Sequence, residues 1–98
     1  MRSITEWQKA LKAGADHKFP KSSWGVQDRV ASVYRQVDDV EVALSVEEGR
    51  AKSSHLAHKD VNHSIGAIIA DALILAEERG VDTEAELEKV LTWFESRS

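Results

Sequence analysis

A chain of 98 residues with 13 lysines and arginines, 17 aspartates and glutamates and a net charge of -4 has the length of one small domain, with acids and bases mixed along it. That mixture argues against a broad phosphate-tracking surface, so direct nucleic-acid binding is not expected, although a small pocket for one anionic ligand is compatible with it. The absence of cysteine excludes disulfides, thiolate chemistry and a cysteine zinc site.

The opening "MRSITEWQKALKAG" has no apolar core of signal-peptide length. The longest mostly apolar run, "IGAIIADALILA", is broken by Asp71 and too short to span a bilayer. A cytoplasmic protein without membrane association is therefore expected. Four segments carry helical periodicity, and none alternates as a half-buried strand does.

Ser3 and Glu6 have capping-box spacing ahead of Trp7 and Leu11, which predicts a first helix from about Ile4 to Ala15. Pro20 and Gly25 punctuate the connection that follows, with Trp24 expected to plug it onto the core. A second helix, about Val26 to Ser45, carries a seam of Val30, Val33, Val37, Val40 and Leu44, and Gly49 ends it. The polar stretch "EEGRAKSSHLAHKD" reads as a loop.

A third helix is predicted from roughly Asp60 to Arg79, with Ile65, Ile68, Ile69, Ala72, Leu75 and Ala76 facing inward and Gly80 as its C-terminal cap. Thr83 and Glu86 repeat the capping-box spacing ahead of a last helix whose inward stripe is Leu87, Val90, Leu91 and Phe94. Trp7, Trp24, Trp93 and Phe94 are expected in the core or at a subunit interface. The sum is an all-α fold: one domain over residues 1–98, a small bundle of about four helices with two long antiparallel helices at its centre.

At about 100° per residue, Gln36, Asp39 and Ala43 lie along the edge of the valine seam, and Asp60, Ser64, Ala67 and Asp71 form one row beside the isoleucine stripe. Two such rows on adjacent antiparallel helices would line one groove. An all-α hydrolase holds a divalent metal between carboxylates in such a place.

"VYRQVDDVEVAL", "IGAIIADALILAEERGVD" and the closing "EAELEKVLTWFESR" resemble the MazG-like members of the all-α nucleoside triphosphate pyrophosphohydrolases, over about residues 24–97. The resemblance implies magnesium-dependent hydrolysis of a nucleoside triphosphate to a monophosphate and pyrophosphate. In that family a Glu-Glu-x-x-Glu motif and a Glu-x-x-Asp motif on successive helices bind the metal. Here the first motif falls on Arg35, Gln36 and Asp39 and the second on Ser64 and Ala67, so only Asp39 keeps a carboxylate.

Asp71, one turn beyond Ala67, is the best substitute ligand. Asp60 and Asp71, about 16 Å apart along a helix, cannot share an ion whose ligands sit at about 2 Å. The resemblance thus assigns metal binding to Asp39 and Asp71, ligand orientation to Gln36 and Ser64, and phosphate neutralisation to Arg50, Lys52 and Lys59, with magnesium held weakly or not at all. Asp38, Asp39 and Glu41 also fit an ordinary solvated helix face, and the three basic residues an ordinary solvated loop.

His55, His58 and His63 lie near Asp60, but their spacing is not the one-turn pair that clamps a metal. Two functions follow from the sequence: a pyrophosphohydrolase-type domain with eroded carboxylates, or a catalytically inactive helical module that binds or assembles through a protein partner. A homodimer or homotetramer suits both, because two long helices in a small domain leave apolar stripes to cover. A helical adaptor remains as a third class.

Overall fold

In the computed structural model, which describes residues 1–20, 23–49 and 61–96, the chain forms four helices: α1 (Ile4–Lys18), α2 (Val26–Glu47), α3 (Val61–Glu78) and α4 (Thr83–Glu95). Among the described residues there is no strand, and no helix is long and apolar enough to cross a membrane. The chain divides into two units, one of residues 1–22 and 73–98 and the other of residues 23–72. α3 starts in the second unit and ends in the first.

In the first unit, Ser3 and Glu6 form the predicted capping box. The Glu6 N–H donates to Ser3 Oγ at 3.1 Å, and the Ser3 N–H donates to Glu6 Oε1 at 2.9 Å. α1 runs one turn past its predicted end, because a Lys12–Asp16 pair at 2.9 Å spans that turn and Gly14 does not break it. It stops at Phe19, which leaves the helical conformation (φ -125°, ψ 65°) directly before Pro20, as a following proline disfavours the α region.

α3 ends in a Schellman motif. Gly80, at φ 66°, donates to the Glu77 carbonyl at 3.1 Å, and the Val81 N–H donates to the Ala76 carbonyl at 2.9 Å. α4 begins one residue earlier in its cap than the spacing predicts. Asp82, not Thr83, is the N-cap, its carboxylate accepting from the Ala85 N–H at 3.1 Å. Aspartate caps at least as well as threonine, and the Thr83 hydroxyl is engaged elsewhere, donating to Gln8 Oε1.

Gln8 is the buried centre of this unit. Its Nε2 donates to Glu77 Oε1 and to the Val81 carbonyl, both at 3.1 Å, so one side chain ties α1 to the end of α3 and to the turn before α4. Glu84 Oε1 accepts from the Thr5 hydroxyl at 3.0 Å, and Lys12 Nζ lies 3.5 Å from Glu78. Among the described residues of this unit, Ile74 is the buried apolar one. The predicted stripe of α4 is not inward: Leu87, Val90, Leu91 and Phe94 are exposed, as is Trp93, stacked at a tilt on Phe94.

In the second unit the faces of both helices are turned from the prediction. The most buried row of α2 is Arg29, Ser32, Gln36, Asp39 and Ala43, with Val33, Val40 and Leu44 partly covered at its edge and Val26, Val30, Tyr34 and Val37 exposed. In α3 the covered row is Val61, Ser64, Ala67, Ile68 and Asp71, whereas Ile65, Ile69 and Ala72 are exposed. Polar residues thus occupy the inner rows, where Arg29 and Ser32 of α2 both partner Asp71 of α3. Trp7 and Trp24 are likewise exposed rather than plugged into a core.

Candidate functional site

α2 is 22 residues long, and its start is fixed by Asp28, whose carboxylate accepts from the Gly25 N–H at 2.8 Å. One turn later the row begins. Arg29 Nη1 lies 3.3 Å from Asp71 Oδ1, each side chain only 13% exposed, and the Ser32 hydroxyl donates to Asp71 Oδ2 at 2.7 Å. Both oxygens of Asp71 are therefore engaged by α2. The guanidinium of Arg29 also lies 5.1 Å from the Trp24 ring centroid, and that of Arg35 lies 5.9 Å from it.

The residues expected to carry chemistry divide into three sets. Gln36, Asp39, Ser64 and Asp71 are all on the inner rows, with Ser64 buried and the other three partly so. His63 is exposed in the first turn of α3. Arg50, Lys52, Lys59, His55, His58 and Asp60 lie outside the described residues. Among the described residues, no group of three or more histidine, aspartate or glutamate side chains is placed to hold a metal ion.

Two residues that shape the site escaped the sequence reading, Arg29 and Ser32. Their signal was present: 29, 32, 36, 39 and 43 follow the same three-and-four spacing as the valine seam, one face over. The arrangement suits an internal charge clamp. The carboxylate accepts a hydroxyl hydrogen bond through one oxygen and faces a guanidinium with the other, so both oxygens are partnered where little water reaches them.

No protein-family model, no curated protein and no solved structure matches the chain.

Proposed function

We propose that the chain is a MazG-like helical scaffold that acts as an assembly module rather than as a hydrolase. The observation that carries this reading is the engagement of Asp71 by Arg29 and Ser32. For Asp71 to ligate magnesium it would have to release both partners and hold the ion close to a guanidinium, where like charges repel. Asp39 with the neutral Gln36 and Ser64 is a poor donor set for a hard cation that favours carboxylates and water in an octahedron. On this reading the residues do not fit magnesium, and the charge at Asp71 joins α2 to α3.

The module's partner is a second copy, since among the described residues little apolar side-chain surface is buried and stripes of α2, α3 and α4 are exposed. A test is titration calorimetry with magnesium and manganese, alone and with a non-hydrolysable nucleoside triphosphate. The expected result is no heat of binding at millimolar ligand. Metal-dependent nucleotide binding that Asp39→Ala abolishes would replace this reading with the pyrophosphohydrolase one.

One observation favours that second reading. If α2 and α3 run antiparallel, the Ser32–Asp71 contact sets a register in which Gln36 falls opposite Ala67 and Asp39 opposite Ser64. The positions that resemble the family's metal ligands would then share one level. In that case Asp39 and a released Asp71 would hold the metal, Gln36 and Ser64 would orient the ligand, and Arg50, Lys52 and Lys59 would balance phosphate charge.

A further inference from the structure

We infer that the exposed stripe of α4 docks a basic amphipathic helix of a different protein, at an interface separate from the one that joins two copies. Leu87, Val90, Leu91 and Phe94 form one stripe by their spacing, and each is between 47% and 70% exposed. Trp93 flanks them, its ring 5.2 Å from that of Phe94. The five side chains offer roughly 450 Å² of exposed apolar surface, taking a whole aliphatic side chain as about 60–120 Å² and an aromatic one as about 200 Å². Matched by a partner helix and completed by a polar rim, that makes an interface of about 1,200 Å² in all, the low end of the specific range.

Charge decides the chemistry of the partner. At about 100° per residue, Glu84, Glu88 and Glu95 fall in one row beside Leu91, and all three are exposed. The opposite border of the stripe carries Glu86. Lys89, the one base of α4, falls on the far side of the helix by the same spacing, and its Nζ lies 3.1 Å from Glu86. A helix laid on the stripe therefore meets carboxylates along a whole side, and lysines or arginines bordering its own apolar face pair with them.

A second copy does not supply such a helix. Against a second α4, the acidic row meets its own copy if the helices run antiparallel and the Glu86 border if they run parallel, and like charges set side by side oppose association. α3 contains no lysine or arginine. α2 sets Arg29 and Arg35 among five acids, and Arg29 is held by Asp71. α1 has three lysines, but of its large apolar residues Trp7 alone is exposed. No described helix of the chain joins an exposed apolar stripe to a basic border, so the occupant is a different protein.

The experiment is calorimetric titration of the full chain with a synthetic amphipathic helix of 13 residues, the length of α4, whose leucine stripe is bordered by lysines, and with a twin carrying glutamate for every lysine. Leu91→Asp and the double variant Glu88→Gln, Glu95→Gln are titrated alongside, each checked by far-UV circular dichroism and sedimentation velocity. The expected result is one lysine peptide bound per chain, no binding of the twin, and a dissociation constant raised about tenfold or more in both variants, with the oligomeric state unchanged. Absence of binding, or a lysine peptide bound equally well by wild type and both variants, overturns the inference. So does an oligomer that Leu91→Asp dissociates, because α4 would then be covered by a second copy.

Discussion

The Ser32 hydroxyl meets Asp71 Oδ2 at 2.7 Å while Arg29 takes the other oxygen of the same carboxylate. Removing the carboxylate takes away the Asp71 side of the ion pair with a largely hidden guanidinium, whereas removing the hydroxyl leaves that ion pair in place. Asp71→Ala is expected to cost about 2 kcal/mol of stability and Ser32→Ala about 1 kcal/mol. Urea unfolding midpoints read both. If Asp71→Ala costs no more than Ser32→Ala, the clamp does not hold the helices.

Gln8 makes the corresponding join in the other unit. Gln8→Ala strands the Val81 carbonyl and releases Glu77 and Thr83, for a loss of about 2–3 kcal/mol. Gln8→Glu keeps the shape but sets a carboxylate against Glu77. Its deficit is expected to shrink as the pH is lowered through the carboxylate range, while that of Gln8→Ala stays level; thermal melts at several pH values separate them. Parallel pH profiles would mean that Glu77 is not the partner that matters.

Helix ends were legible in the sequence because they depend on neighbours in the chain. The Ser3–Glu6 box and Gly80 each specify a local hydrogen-bond pattern, and both appear where spacing puts them. Asp82 displaced Thr83 as a cap by a choice that spacing alone does not make, since the Thr83 hydroxyl is drawn to Gln8 from far along the chain. Helix faces were less legible. Periodicity selects the most apolar stripe as the inner one, but Arg29, Ser32 and Asp71 satisfy one another and so fill an inner row that periodicity cannot recognise. Gln8 left a trace of the same kind, a polar residue inside the stripe Ile4, Leu11 and Ala15.

Two titrating groups on α1 give the unit a pH dependence of known sign. The Ser3 N–H that donates to Glu6 holds its carboxyl below the ordinary value, with the Ser3 hydroxyl adding to the effect. Glu6 therefore stabilises the folded chain above the ordinary carboxylate value of about 4.3, and the contribution is lost as the pH falls through the lowered value. Lys12 is raised, chiefly by its hydrogen bond to Asp16. Its contribution is complete below about 10.4 and is lost as the pH rises through the raised value. Melting curves of Glu6→Gln and Lys12→Met against wild type are expected to converge with it at the acid and alkaline ends respectively. Curves that run parallel to wild type there would remove the linkage.

The test that bears most directly on function restores the missing acids. Ser64 is buried, so Ser64→Glu places a carboxylate where it needs a partner or a metal. In the triple variant Gln36→Glu, Ser64→Glu, Ala67→Asp the introduced acids crowd Asp39 and Asp71, and a fall in stability of several kcal/mol is expected at neutral pH. If the chain is an assembly scaffold whose Asp71 is kept by Arg29, magnesium restores neither the melting temperature nor any turnover of nucleoside triphosphates. Adding Arg29→Leu releases that carboxylate and separates two causes of failure. Recovery of stability by magnesium only in the quadruple variant would show that Arg29 is what denies the ion its site. Recovery already in the triple variant, with pyrophosphate released, would return the inner rows to the hydrolase reading, because ligands alone would then have been missing.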